Sequence, residues 1–243
     1  MGESLRHMAK LFPAFRRADT ARYAAIVGLI LLTIAFQLAA PDTDWARLVI
    51  VILQGGTLAL ALNVGHIHGV LDRLLIGLII VTVAVSTVAV VGFGSLGEFE
   101  ARLINLLLIA FAPIAILFGI IVDMRARSRV TVRTIMGVLS IYLMIGLIFN
   151  FLFGLIGAQT SDPFFQHGIE GTPADYLYFS YATLTTVGYG DLTAALHVGR
   201  SVAIIEALIG QIYLVTVVSL IVGNLGRSPS GGHAPPPRSA RAR

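Results

Sequence analysis

Six apolar runs, near residues 23–40, 48–64, 74–93, 103–122, 134–157 and 198–224, dominate the sequence and leave few ways for it to fold. Each is close to the roughly 20 residues of helix that cross a hydrocarbon layer about 30 Å thick. A soluble domain is about one quarter charged, whereas this chain is 12% charged and 56% hydrophobic, with a mean hydropathy of +0.86. One water-soluble core cannot hide that much apolar surface, so the reading is an all-α membrane protein with six transmembrane helices. The second run is the shortest and carries Gly55-Gly56, which blurs its limits. The first is long for the apolar part of a secretory signal, and Pro41 follows the only plausible cleavage point, so it reads as a retained helix.

Basic residues orient the spans. Arg6, Lys10, Arg16, Arg17 and Arg22 precede the first run, and Arg73 lies between the second and third. Arg125, Arg127, Arg129 and Arg133 separate the fourth from the fifth, and Arg227, Arg238, Arg241 and Arg243 follow the sixth. In a six-span chain all of these share one side, leaving Arg47, Arg102 and Arg200 for the other. Positive charge accumulates on the cytoplasmic side, so both termini are expected there, with the protein in the cell membrane. Asp42, Asp44, Glu98, Glu100, Asp162, Glu170, Asp175 and Asp191 collect opposite.

The chain therefore divides into a basic cytoplasmic N-terminus (1–22), a four-helix peripheral membrane domain (23–122), a cytoplasmic linker (123–133), a second membrane domain (134–225) and a tail (226–243). The Gly, Pro, Ser and Arg content of the tail predicts disorder. The pI of about 9.8 is explained by these flanks and loops facing lipid headgroups, without nucleic acid. Arg125, Arg127, Arg129 and Arg133 suit contact with anionic lipid, beside the plainer reading of a topology signal. With no cysteine, disulfides, thiolate metal sites and cysteine nucleophiles are excluded. The spans hold no metal-ligand cluster and no nucleophile–base pair, so neither an enzyme nor a cofactor is expected.

The segment 172–191 carries the chemistry. Thr172, Pro173 and Asp175 form a helix start: a cap, a proline in the first turn, and an acid three residues after the cap. A helix from there to about Thr185 is roughly 20 Å long at 1.5 Å per residue, too short to cross. It is expected to enter the membrane as a re-entrant helix and turn back at Thr186-Val187-Gly188-Tyr189-Gly190. Backbone at that depth is tolerated only inside protein or along a watery path. Glycine admits positive φ, so alternate residues can take conformations closed to others and point successive carbonyls to one side. Four such strands around an axis make stacked oxygen rings that replace a cation's hydration shell, with the Thr186 hydroxyl as a further ring at the inner end. The chain holds one such loop, so four copies in a homotetramer are needed.

Thr183-Leu-Thr-Thr-Val-Gly-Tyr-Gly-Asp191 resembles the signature sequence of potassium channels. The order of outer helix (134–157), pore helix, filter and inner helix (198–224) resembles the pore module of bacterial channels of the ion-channel-2 type. The first four helices match six-span channels only in number. The resemblance implies passive K+ conduction, with Thr186, Val187, Gly188 and Tyr189 supplying oxygens to the ion and Gly190 shaping the outer mouth. It places Thr183, Tyr178, Phe179 and Asp191 around the filter, with Tyr178 able to donate to Asp191 and Phe179 unable to donate to Tyr189. Two departures bear on filter stability: Ala182 stands where some members keep an acid, and Ala194 where a proline is frequent.

In the family register Gln211, Leu214, Val218 and Val222 face the pore, and the valines form a ring that closes by dewetting. Gly210 has the spacing of the family's hinge glycine, and a packing glycine reads equally well. Glu206 is the one acid inside a span, a functional candidate on that ground. The competing reading is a protonated or hydrogen-bonded acid packed near Ser180 or Thr183. Asn150 is expected in an interhelical hydrogen bond, and His66 and His68 in a cytoplasmic turn. Residues 103–122 contain no Lys or Arg, so no voltage-sensing repeat is expected. Two other classes stay open at this point. One is a potassium transporter subunit with degenerate filter loops. The other is a non-conducting sensor or accessory protein.

Overall fold

A computed structural model describes residues 2–65, 70–93, 98–127 and 131–225. Among these, seven α-helices follow one another: α1 (Gly2–Ala39), α2 (Asp44–Gly65), α3 (Val70–Phe93), α4 (Glu98–Arg127), α5 (Val132–Ala158), α6 (Pro173–Leu184) and α7 (His197–Leu225). Five contain a stretch long and apolar enough to cross a membrane: Thr20–Ala39, Asp44–Gly65, Phe99–Val122, Val132–Ala158 and His197–Val217. Within α3 the corresponding stretch, Arg73–Val88, is shorter. The molecule is thus an all-helical, multi-pass membrane protein. His66, His68, Arg129 and the tail from Gly226 lie outside the described residues.

Local sequence accounts for the helix ends. Helix α1 runs on through the basic flank and stops at Ala39, two residues before Pro41, which restricts the residue ahead of it to extended backbone. Helix α5 opens on a reciprocal cap: the Thr131 side chain accepts from the Thr134 backbone N–H, and Thr134 Oγ1 accepts from the Thr131 N–H. The Gly55-Gly56 pair does not interrupt α2. A Cβ on Gly55 would lie 3.2 Å from Ile79 of α3, and one on Gly56 3.4 Å from Leu29 of α1. The small residues let both neighbours approach, the usual role of glycine between membrane helices.

One apolar core joins the peripheral helices to α5 and α6. Ile26 and Ile30 of α1, Leu58 of α2, Leu108, Ile109 and Ile116 of α4, Met144 and Leu147 of α5 and Leu177 of α6 are all fully buried in it. Helix α3 sits at the edge beside α2, with Leu74, Ile80, Val81, Val85 and Val88 exposed in a way that suits lipid. A second cluster, almost wholly aromatic, fills the space between the α5–α6 loop and the two helices: Phe149, Phe153, Phe164, Phe165, Tyr176 and Phe179. Around it, Gln166 N–H donates to the Thr193 carbonyl (2.9 Å) and Ala195 N–H to the Phe164 carbonyl (2.8 Å). These bonds fasten the loop before α6 to the chain leaving residue 191.

Candidate functional site

Helix α6 is twelve residues, about 18 Å at 1.5 Å per residue, and lies between α5 and α7. Thr172 caps it as expected. Its hydroxyl accepts from Asp175 N–H at 3.2 Å, while Asp175 accepts from Thr172 N–H at 2.9 Å. The other end decides the geometry of the loop. A helix leaves its last four carbonyls without intrahelical donors, and here each finds one. The Tyr181 carbonyl accepts from Thr185 N–H (3.0 Å), Thr183 from Thr186 N–H (3.0 Å) and Ala182 from Gly188 N–H (3.1 Å). The Leu184 carbonyl takes the Tyr142 hydroxyl of α5 at 3.3 Å. The start of the Thr186–Gly190 segment is thereby tied to the helix that precedes it.

Along that segment φ is positive at every second residue: 59° at Thr186, 51° at Gly188 and 83° at Gly190. Glycine accepts this freely. Threonine does not, and a β-branched residue held in the left-handed region stores about 1–3 kcal/mol, a cost that clusters at functional sites. Gln211 of α7 donates from Nε2 to Thr186 Oγ1 at 3.3 Å, so these two expected residues meet. Val187 and Tyr189 are exposed in the single chain, at 51% and 73%.

At the outer corner the Tyr178 hydroxyl donates to both carboxylate oxygens of Asp191, at 3.0 and 2.9 Å. The Tyr178 ring also stacks on Tyr189, with centroids 6.0 Å apart and planes 11° from parallel. Phe179 points elsewhere. It is buried edge-on against Phe153 (4.9 Å) and Phe165 (5.5 Å) in the aromatic cluster. Thr183 contributes its backbone carbonyl to the loop.

On α7, Gly210 passes the end of α6 so closely that a Cβ would stand 2.6 Å from the Leu184 carbonyl oxygen. The helix is continuous through this point. Leu214 lies on the exposed face, and the side chains of Val218 and Val222 lie outside the described residues. Glu206 is fully buried against α6, beside Ser180 as the packing reading anticipated.

Several structural residues escaped the sequence. Tyr181 donates to the Leu143 carbonyl and Tyr213 to the Val138 carbonyl, both at 2.6 Å, joining α6 and α7 to α5. The signal was available, since a phenol inside an apolar span needs an acceptor. Arg102, counted only for orientation, is buried. It donates to the Gly154 carbonyl and lies over the Tyr176 ring, 4.9 Å from its centroid. Gln37 of α1 donates to the Pro173 carbonyl at the start of α6 (3.3 Å). Two expectations change. Asn150 Nδ2 is buried without a hydrogen-bond partner, and the residue lines a small, mostly apolar cavity that it shares with Gln37, Arg102 and Asn105, in place of the expected interhelical bond. Arg133 is buried and donates to Thr20 of α1 (3.3 Å), so among the linker arginines Arg125 alone is described as exposed. The side chain of Arg127 lies outside the described residues.

Residues 137–226 match a family model described as an ion channel. That stretch holds most of α5, the capped α6, the loop of alternating φ and α7. The match supports an ion-channel domain in this part of the chain, and with it a transporter-type function. No curated protein matches the chain.

Proposed function

We propose that four copies of this chain assemble into a potassium-selective channel that conducts K+ passively through Thr186–Gly190. The observation that carries the reading is the alternation of positive φ at Thr186, Gly188 and Gly190, within a Thr-Val-Gly-Tyr-Gly segment that leaves a short capped helix. Left-handed conformations at alternate residues turn successive carbonyls to one side, which is what a column of oxygen rings requires. In this reading α6 is re-entrant, the carbonyls of Thr186, Val187, Gly188 and Tyr189 replace the ion's hydration shell, and the Thr186 hydroxyl adds an inner ring. The exposed Val187, Tyr189 and outer face of α7 are covered by neighbouring copies or face the pore. Both termini lie in the cytoplasm, α3 is the third of six spans, and Gly210, Gln211, Leu214, Val218 and Val222 shape the inner pore.

Reversal potentials of the purified protein in planar bilayers, under opposed K+ and Na+ gradients, test conduction and selectivity together. The expected reversal lies near the K+ equilibrium potential. Equal permeability to the two ions, or no current, sinks the proposal.

A further inference from the structure

Behind the pore helix, three helices meet at one hydroxyl group. Ser180 of α6 is fully buried, and its Oγ lies 2.7 Å from the Gly146 carbonyl oxygen of α5 and 2.5 Å from Glu206 Oε1 of α7. Both are hydrogen-bond distances. The approach is enforced by small residues, since a Cβ on Gly146 would fall 2.7 Å from the Tyr181 ring and one on Gly210 2.6 Å from the Leu184 carbonyl.

The hydrogens can be counted. A serine hydroxyl carries one hydrogen, and a backbone carbonyl can only accept. A bond between Ser180 and Gly146 therefore uses the serine hydrogen. The contact between Ser180 and Glu206 then needs a second hydrogen, which only the glutamate can supply. If Glu206 were a carboxylate, one of the two contacts would set oxygen lone pairs against each other with no hydrogen between them. Charge balance leads to the same place. Glu206 is 0% exposed, its Oε2 has no hydrogen-bond partner, and among the described residues the ionisable groups facing it are the phenols of Tyr142 on α5 and Tyr181 on α6. A lone buried carboxylate in that setting is far costlier than a neutral acid.

We infer that Glu206 is a neutral carboxylic acid whose O–H donates to Ser180, which in turn donates to the Gly146 carbonyl, so that one proton fastens the inner, pore and outer helices together behind the filter. Glu206 is then a positioning residue: it touches no ion and acts through Ser180 on the helix that holds residues 186–188. Removing the proton leaves one serine hydrogen for two acceptors; the carboxylate takes it, and the bond from α6 to the Gly146 carbonyl of α5 is lost. The proton assignment stands on the hydrogen count and the burial of Glu206, whereas its effect on current rests on the channel reading above.

Infrared difference spectroscopy on the full chain in lipid, wild type against Glu206→Gln at neutral pH, tests the first part. The expected result is a protonated-carboxyl C=O band in the wild type that the variant lacks. Ser180→Ala should shift that band to higher frequency, because the acid loses its acceptor. A carboxylate band in its place, or a band that Ser180→Ala leaves unmoved, overturns the assignment. Bilayer recordings test the second part. Wild-type K+ current should fall reversibly as both solutions are made alkaline. Glu206→Gln, whose amide N–H can still donate to Ser180, should keep its neutral-pH current and show no alkaline fall, while Glu206→Ala loses current at every pH. A glutamine variant as damaged as the alanine one, or one that keeps the alkaline fall, overturns the positioning role. A protonated band in a protein without K+ current upholds the proton and defeats the channel reading instead.

Discussion

Tyr178 and Asp191 close the outer corner of the loop: one phenolic hydroxyl reaches both carboxylate oxygens, at 3.0 and 2.9 Å. The same ring lies parallel to Tyr189, so a single side chain braces the loop by a hydrogen bond and by stacking. Ala182, where a second acid is absent, offers no substitute. Tyr178→Phe keeps the stacking and removes the bond. Solvent reaches this bond, so its loss bears on the local geometry of the loop more than on global stability. The expected phenotype is K+ current that decays during sustained opening, with initial selectivity intact, seen as faster run-down in single-channel records. Unchanged decay would mean the corner is held by other contacts.

Gly188 separates conformational cost from crowding. Its φ is 51°, and nothing lies within 4 Å of the place a Cβ would occupy in the single chain. Gly188→Ala should therefore fail through backbone strain, about 1–2 kcal/mol for each left-handed residue and repeated in every subunit. Selective current should vanish while the helices still form, read by circular dichroism beside reversal potentials. Retained K+ selectivity would show that this φ is not needed for conduction.

Gly210 is the opposite case. It sits in ordinary helix, and the penalty for Gly210→Ala is contact with the Leu184 carbonyl. Overpacking of this kind costs about 1–3 kcal/mol. The variant should lower the melting temperature of the assembled protein and disturb current at all voltages. A hinge role predicts something else, slowed opening with stability preserved, and thermal melting distinguishes the two.

Voltage should matter little. Each elementary charge moved through the field yields about 2.3 kcal/mol per 100 mV, and steep gating needs three or four such charges per subunit. The apolar stretch of α4, Phe99–Val122, holds one arginine, Arg102. That arginine is bound to the Gly154 carbonyl and packed over Tyr176, so it cannot travel. Open probability against voltage in symmetrical KCl should be nearly flat. A steep sigmoid, shifted by neutralising Arg125, would refute this.

Much of the architecture was legible because it is written in periodic, local features. The apolar runs mark the helices to within a few residues, although α1 extends further back than its apolar part. The Thr172-Pro173-Asp175 cap fixes where α6 begins, and the glycines at 188 and 190 announce positive φ. Thr186 was hidden for a physical reason: its side-chain type argues against the conformation that the surrounding bonds impose. Arg102 was legible as a charge on one side of the membrane, but charge counting says nothing about which way a long side chain turns. Asn150 was expected to pair across helices, and with its Nδ2 unpartnered it instead lines a cavity that exists only once α1, α2, α4, α5 and α6 have packed.

The way the peripheral helices join the rest of the chain has a consequence for anyone wishing to isolate residues 131–225. Stripping α1 to α4 from α5 and α6 would uncover Met144, Leu147 and Leu177, which hydrocarbon tails solvate about as well as other side chains do. The apolar contacts would be little missed. What lipid cannot replace is the Arg102 guanidinium on the Gly154 carbonyl and the Gln37 amide on the Pro173 carbonyl. Both carbonyls keep their intrahelical bonds, from Ala158 N–H and Leu177 N–H, so a truncated chain would lose a second bond at each and, with it, the polar ties from α4 to the end of α5 and from α1 to the start of α6. The four leading helices thus act as a polar clamp on the end of α5 and the start of α6, and a minimal version would have to hold those two helix ends in place by other means.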